Sequence, residues 1–185
     1  MFYSRLELKK LGLKSLGKNV LISDKASIYN AANIEIGSNV RIDDFCVISA
    51  GEGGIKIGNY IHIAVFCSLI GNGKITLDNF SGISSRVAIY SSTDDFSGNF
   101  LTNSTVSKEY TNVISGDVRL GKHVCVGTGS VILPNVNIDD YSSVGALSLV
   151  TKDVEKFKIV VGIPSKVIKN RTNNLYSLEC KFLKK

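Results

Sequence analysis

The chain has 185 residues, of which 44% are hydrophobic, and this is enough for one domain with a sizeable core. Its net charge is +6, but the basic residues lack interleaved aromatic residues and match no recognition motif, so we expect no nucleic-acid partner. The four cysteines, at positions 46, 67, 125 and 180, are not closely paired, which argues against a disulfide framework and favours a reduced, cytoplasmic protein.

Residues 1–15 are expected to form an N-terminal cap. Leucines alternate there with basic residues such as Arg5, Lys9 and Lys14, so no apolar run is long enough for a signal peptide or a membrane span. A repeat structure needs protection at its open end, which favours a capping helix. The alternative is peripheral contact with a membrane surface, since basic and apolar residues alternate.

The body of the chain, residues 16–163, repeats an aliphatic residue about every six positions. Six residues match neither the period of a helix nor that of a flat strand, so the pattern indicates short straight rungs joined by tight corners. The repeated residues are Leu16, Ile22, Ile28, Ile36, Ile42, Ile48, Ile57, Ile63, Leu69, Leu77, Ile83, Ile89, Leu120, Val126, Ile132, Ile138, Val144 and Val150.

Two further sequence features recur at fixed positions in this repeat. Glycine often follows the aliphatic residue, as at Gly37 and Gly127, and a small or apolar residue stands four places after it, as at Cys46, Cys67 and Ser130. A single rung cannot bury its own aliphatic side chain, so successive coils must stack to build the core. We therefore predict an all-β fold, a parallel β-solenoid with three rungs in each coil.

Residues 91–117 interrupt the repeat with an extended loop rich in Ser, Thr, Asn and Asp. Loops of this length on a rigid scaffold are usually functional or disordered. Phe96, Phe100 and Tyr110 suggest that this loop packs against something. We interpret it as a functional loop that meets a neighbouring copy of the chain and forms clefts between subunits.

Residues 164–185 are predicted to form a short helical tail. The basic charge is concentrated here, because residues 152–185 hold nine lysines or arginines against three acidic residues. A ligand that carries phosphates could use several of these charges. A solvated terminal helix explains them equally well.

The closing stretch LGKHVCVGTGSVILPNVNIDDYSSVGALSLVTKD, followed by VVGIPSKVIKNR, resembles the hexapeptide-repeat acyltransferases, above all the galactoside and surface-polysaccharide O-acetyltransferases. With the rungs and the loop, the resemblance covers about residues 16–171. It implies a left-handed parallel β-helix, a homotrimer, acetyl-CoA as the donor, and an active site between two subunits beneath the loop. The coenzyme A contacts that it implies fall on Thr128, Ala146, Thr151, Lys152, Lys166 and Lys169.

The catalytic base is where the chain departs from this family. The histidine that opens the loop in the galactoside enzymes corresponds here to Asp94, and an indole position corresponds to Cys125. Of the two histidines, we favour His62 as the base, with Asp94 or Asp95 orienting it across a subunit boundary or contacting the acceptor. Asp94 as the base, His123 as the base, and a protein without such a base are the alternatives.

Metal and cysteine mechanisms fit the sequence poorly. Two histidines exclude a three-histidine zinc site within one chain, and no close cluster of cysteine and histidine replaces it, so we predict no metal. Cys46 and Cys67 occupy inward repeat positions, where a small buried residue is the default. Cys125 could face a cleft, but no neighbour is an obvious activator.

These patterns together favour an enzyme that moves an acetyl group from acetyl-CoA to the hydroxyl of a nucleotide sugar, a lipid-linked sugar or a surface-polysaccharide unit. The alternatives are N-acetylation of an amino sugar, which differs only in the acceptor atom, and a non-catalytic trimeric scaffold. The replaced histidine and indole positions support the scaffold alternative. The intact closing stretch and its lysines argue against it.

Overall fold

The computed structural model describes residues 1–184, most of which form a solenoid of short parallel strands. Three successive strands make each coil, and equivalent strands of neighbouring coils pair in parallel, which builds three sheets called faces one, two and three. Face one holds β1 (Ser15–Leu16), β4 (Ile34–Ile36), β7 (Ile55–Ile57), β10 (Ile75–Leu77), β15 (Val118–Leu120) and β18 (Asn137–Ile138). The predicted left-handed parallel β-helix is confirmed.

The other two faces complete the solenoid. Face two holds β2 (Val20–Ile22), β5 (Val40–Ile42), β8 (Ile61–Ile63), β11 (Gly82–Ile83), β16 (Cys125–Val126), β19 (Ser143–Val144), β21 (Lys158–Val161) and β22 (Lys166–Asn170). Face three holds β3 (Ser27–Tyr29), β6 (Val47–Ala50), β9 (Ser68–Gly71), β12 (Ala88–Tyr90), β17 (Val131–Ile132) and β20 (Leu149–Val150). The corners between them are named the one–two, two–three and three–one edges.

The core runs along the solenoid axis and consists of the repeat residues. Every predicted aliphatic position is buried except Leu16 and Ile28, which are partly buried and pack against the core. Identical residues stack in register, as Ile42 does on Ile63. Burying each such side chain contributes about 1.5–3 kcal/mol, so the stacked column is what holds the coils together.

Each edge turns on a residue with left-handed backbone. At the one–two edge these residues include Tyr60, Phe80, His123 and Tyr141, with φ between 58° and 64°. Their rings stack at centroid distances of 4.7, 4.9 and 5.2 Å from one coil to the next. This stacking offsets the cost that a non-glycine residue carries in the left-handed region.

The extended loop leaves the solenoid at the three–one edge. It follows β12 on face three and returns to β15 on face one, and its base is closed by an antiparallel pair, β13 (Ser92–Thr93) and β14 (Ile114–Ser115). A short 3-10 turn spans Lys108–Tyr110. The loop therefore lies one edge away from the corners between faces two and three.

The two ends of the chain carry the helices. Helix α1 (Arg5–Lys10) begins with a capping box between Ser4 and Glu7 and buries Leu8 against the first coil. At the other end, Lys166–Asn170 form a strand that pairs antiparallel with β21, so the predicted helical tail is wrong for these residues. Helix α2 (Leu175–Leu183) follows. Neither helix of residues 1–184 is long and apolar enough to cross a membrane.

Candidate active site

The outward side chains of face two form a column that passes through the centre of the solenoid. The pairing register places Arg41 beside His62, His62 beside Gly82, Gly82 beside Cys125, and Cys125 beside Ser143. Inward residues alternate with them, since Ile61 and Ile63 on either side of His62 are buried. His62 therefore projects outward from the middle of face two.

A cleft of about 450 Å³ opens on this column and continues to the two–three edge. Its lining is His62, Ala64, Gly82, Ile83, Ser84, Ser85, Cys125 and Thr128. Apart from His62 and Ile83, these are small side chains, so the wall of the solenoid is recessed here. The prediction that Cys125 could face a cleft is confirmed.

His62 is oriented by a carboxylate. Its Nε2 lies 2.7 Å from Oδ2 of Asp43, whose other oxygen accepts a hydrogen bond from Nε of Arg41 at 2.6 Å. Burial works to raise the pKa of the Asp43 carboxyl, but hydrogen bonds from His62 and Arg41 outweigh it and hold this pKa below its usual range. An ionised Asp43 fixes the hydrogen on Nε2 of a neutral imidazole, which leaves Nδ1 as a proton acceptor.

Ser84 lies at the two–three edge of the same cleft, with a tightly held backbone. Its N–H donates to the carbonyl of Val126 at 2.9 Å, and its carbonyl accepts from the thiol of Cys67 at 3.0 Å. In the register, Ala64 lies below Ser84 and Gly127 above it, so its hydroxyl has small neighbours. Ser84 is not recognisable from the sequence, because a serine at a corner of the repeat looks like any other turn residue.

Asp94 and Asp95 lie in the extended loop, away from this cleft. Oδ2 of Asp94 accepts a hydrogen bond from the N–H of Asn103 at 3.3 Å, and Asp94 lines a separate cavity of about 580 Å³ that is enclosed by residues of the loop itself. Asp95 accepts from the Ser97 N–H and from Nδ2 of Asn112, both at 2.7 Å, and the Ser97 hydrogen bond is the main cause that lowers its pKa. Asp95 therefore holds the loop together.

The residues predicted to contact coenzyme A fall into two groups. Thr128 and Ala146 are exposed at the two–three edge in successive coils. Lys166 starts β22 opposite Val161, two strands beyond the coil of Ala146. Together with Ser84, these residues form a row along the two–three edge, parallel to the solenoid axis. Thr151 and Lys152 follow β20 and lie at the three–one edge, while Lys169 pairs with Ile159 on face two.

His123 lies at the one–two edge, whereas the cleft lies on face two and at the two–three edge. Its ring is stacked between Phe80 and Tyr141, its side chain is 11% exposed, and its Nε2 lies 2.9 Å from Oε2 of Glu179 on α2. His123 therefore lies at the one–two edge, away from the cleft that holds His62 and Ser84.

No protein-family model matches the chain. Over 181 residues the chain is 54% identical to the dTDP-4-amino-4,6-dideoxy-D-glucose acyltransferase of Escherichia coli, a match that covers 98% of this chain and 94% of that protein. The chain belongs to the hexapeptide-repeat acyltransferases. The resemblance seen in the closing stretch is thereby confirmed, and the chain is an enzyme that transfers acyl groups.

Solved structures of one further acyltransferase match the whole solenoid. AntD, an N-acyltransferase from Bacillus cereus in complex with dTDP and 3-hydroxybutyryl-CoA, has a TM-score of 0.95 at 49% identity, covering 99% of this chain and 96% of that chain. Its S84A variant, in complex with dTDP-4-amino-4,6-dideoxyglucose and coenzyme A, has a TM-score of 0.94 at 49% identity, and its D94N variant has 0.95 at 48%. Both variants cover 99% of this chain, and 97% and 98% of theirs.

Proposed function

We propose that the chain transfers an acyl group from a coenzyme A thioester to the amino group of a dTDP-linked 4-amino sugar. The observation that carries this proposal is the 54% identity, over nearly the full length of both chains, to an acyltransferase named for such an acceptor. AntD, similar over its whole length, is an N-acyltransferase solved with dTDP and an acyl-CoA. The amino-sugar alternative is therefore better supported than the sugar hydroxyl that the sequence analysis favoured.

The chemistry requires three things of the protein. The amine nitrogen attacks the thioester carbonyl to form a C–N bond, the carbonyl oxygen becomes an oxyanion, and the C–S bond then breaks to release the thiolate. The nitrogen loses one proton to a base, and this proton neutralises the leaving thiolate. The site must hold the two substrates together, stabilise the oxyanion and accept the proton.

Ser84 is the proposed donor to the oxyanion. Its backbone is fixed by hydrogen bonds on both sides, and its neighbours Ala64 and Gly127 leave room for a thioester carbonyl. A hydroxyl held in a recess between two substrates can donate a hydrogen bond without rearranging. AntD variants replace a serine of the same number, which is consistent with this role.

Asp94 and His62 are the two groups proposed for proton transfer. Asp94 has the residue type and number of the second position replaced in AntD, and it opens the extended loop. His62 lies in the cleft with Ser84 and is oriented by Asp43. In one chain Asp94 stands at the three–one edge and Ser84 at the two–three edge, so we infer a homotrimer in which each site combines the cleft of one subunit with the loop of the next.

The donor is proposed to lie along the two–three edge. Coils are spaced about 4.8 Å apart, so the three steps from Ser84 to the hairpin of β21 and β22 span about 14 Å. Thr128 and Ala146 line this path, and Lys166 stands at its far end, where the phosphates of coenzyme A would meet a positive charge. The thioester would then reach Ser84.

The proposal is tested with the purified protein, dTDP-4-amino-4,6-dideoxyglucose and either acetyl-CoA or 3-hydroxybutyryl-CoA. We expect thiol release together with a product whose mass has increased by one acyl group, and no product from dTDP-glucose, which carries a hydroxyl at that carbon. The variant Ser84→Ala should lower kcat about 100-fold, as the loss of one oxyanion donor does. Ser68→Ala, an outward serine on face three, is the matched control and should keep full activity.

The same assay separates the two candidates for the base. If Asp94 accepts the proton, Asp94→Asn loses about 100-fold or more in kcat while His62→Gln retains most activity; the opposite pattern assigns the role to His62. Activity with dTDP-glucose but not with the amino sugar would instead establish a hydroxyl acceptor. No transfer to either acceptor would refute the proposed function.

A further inference from the structure

Arg86 differs from the other four arginines of the chain. Arg5 and Arg171 donate to backbone carbonyls at 2.7 and 2.8 Å, and Arg41 and Arg119 pair with aspartates, each at 2.6 Å. Within residues 1–184 the guanidinium of Arg86 has neither a hydrogen-bond partner nor an ion pair, and it lies over an aromatic ring. An exposed guanidinium offers five donors, so Arg86 has unused capacity for an anion.

The position of this guanidinium is set by the fold. Arg86 turns the two–three edge with φ of 62°, and its N–H donates to the carbonyl of Val65 at 3.0 Å. Its guanidinium carbon lies 4.6 Å from the ring centroid of Phe66, which itself stacks on Phe45 at 5.1 Å. A cation held over an aromatic face loses little rotamer freedom when it binds an anion.

This charge lies next to the proposed reaction centre. Arg86 is two residues from Ser84, so their Cα atoms are within about 7 Å. Ser84 and Ser85 both line the cleft, and Arg86 follows them directly. The two phosphate-bearing substrates of the proposed reaction are the donor and the acceptor, and each is a candidate ligand.

The geometry favours the acceptor. Along the two–three edge the proposed donor path rises from Ser84 to Lys166 on β22, so the donor's phosphates lie about four strand spacings away from Arg86. A nucleotide sugar whose amino group reaches Ser84 has its diphosphate only one sugar ring away. We propose that Arg86 binds the diphosphate of the nucleotide-sugar acceptor, with Phe66 as the platform that positions it; this inference rests on the proposed function.

The test compares dTDP with thymidine, which lacks the phosphates, by calorimetric titration of the full chain. Arg86→Gln should weaken dTDP binding about 10- to 100-fold, the range expected when a charge-assisted contact is lost. Thymidine and coenzyme A should bind as they do to the unchanged protein. Arg86→Lys should recover part of the affinity, because it keeps the charge but not the planar fork.

Arg5→Gln, which removes the same charge at the distant N-terminal cap, is the matched control and should bind dTDP normally. In turnover, Arg86→Gln should raise KM for the amino-sugar nucleotide while kcat changes little. Equal dTDP affinity of Arg86→Gln and the unchanged protein would overturn this inference and leave the proposed function intact. A loss of dTDP binding that accompanies a changed oligomeric state would also overturn it, since Arg86 would then act at a subunit contact. If the unchanged protein binds no dTDP, both the inference and the proposed acceptor fail.

Discussion

Gly82 is the residue that most directly sets the size of the cleft. It stands between His62 and Cys125 on the outward column of face two. A glycine within a strand costs stability, about 0.5–1 kcal/mol relative to alanine. Among the described residues, a Cβ built at position 82 would have only the carbonyl oxygen of His62 within 4 Å, at 3.7 Å, so the fold itself does not require glycine here. Its missing side chain keeps the cleft open beside Ser84.

Gly82→Val should therefore discriminate between acyl donors. We expect kcat/KM with 3-hydroxybutyryl-CoA to fall at least about tenfold more than kcat/KM with acetyl-CoA, because the valine occupies space that a longer acyl group would use. Thermal stability should stay equal or rise, since valine favours strands. Parallel losses with both donors, at an unchanged melting temperature, would contradict this assignment. Thr76→Val, an outward position on face one of the same coil, is the control.

Part of the candidate site was predictable at this scale. His62 and Thr128 were proposed as site residues and Cys125 as a residue that could face a cleft, and the structure places all three on one cleft. Ser84 and Gly82 were not, because their importance comes from what lies on the coils above and below them. Neighbours along the axis are about twenty residues away or more in sequence, so a local pattern does not reveal them.

At the scale of elements, helix α2 is held to the solenoid by a buried carboxylate. The side chain of Glu179 is 8% exposed, and its oxygens accept from Nζ of Lys122 at 2.7 Å and pair with Nε2 of His123 at 2.9 Å. Phe182 packs edge-on against Tyr60 and Phe80 beside it. Burial works to raise the pKa of Glu179, but the hydrogen bonds from Lys122 and His123 outweigh it and lower this pKa.

The docking of α2 should consequently weaken in acid. A carboxyl whose pKa is lower in the folded state stabilises the fold above its unfolded pKa, about 4.3, and this contribution disappears as the pH falls through the lower folded pKa. Glu179→Gln should reduce the free energy of unfolding by about 1–2 kcal/mol at neutral pH. It should also flatten the decline between pH 5 and 3. An unchanged pH dependence of the variant, followed by chemical unfolding, would show that Glu179 does not control this docking.

The elements themselves were predictable where they bury a repeated residue. Sixteen of the eighteen aliphatic positions are fully buried, and all of them follow from the six-residue period. Strand β22 was missed and predicted as helix, because all five of its residues are exposed and it has no buried side to mark its period. Backbone hydrogen bonds pair this strand with β21, and such bonds cannot be predicted from the types of its side chains.

At the scale of the whole molecule, the three edges have different roles. The two–three edge carries Ser84 and the proposed donor path, the three–one edge carries the loop with Asp94, and the one–two edge holds α2. The loop also exposes apolar side chains, with Phe96 88% and Val113 53% exposed. Such surface on a rigid scaffold is expected to be covered by another subunit, which supports the proposed trimer.

Mixed subunits provide the test of this arrangement. If Asp94 is the base, Ser84→Ala chains and Asp94→Asn chains should each form trimers of low activity. When they are co-expressed in equal amounts and assemble at random, about a quarter of the sites should receive an intact Ser84 from one chain and an intact Asp94 from the next. Recovery of about a quarter of the full activity is the expected result. Activity that stays at the level of the separate variants would mean that both residues act within one chain.

The parallel stacking of the coils also limits how such an enzyme can change during evolution. Each coil contacts mainly its immediate neighbours, so a coil added or lost on the N-terminal side of the coil that carries Asp43 alters only the length of the prism. Between Ser84 and the β21–β22 hairpin, the same change would shift the two ends of the donor path by about 4.8 Å relative to each other. Because the pantetheine arm has a fixed length, the proposed donor path requires a constant number of coils in this part of the solenoid. We expect lineages of this enzyme to vary in length on one side of the cleft and to keep the coil number on the other.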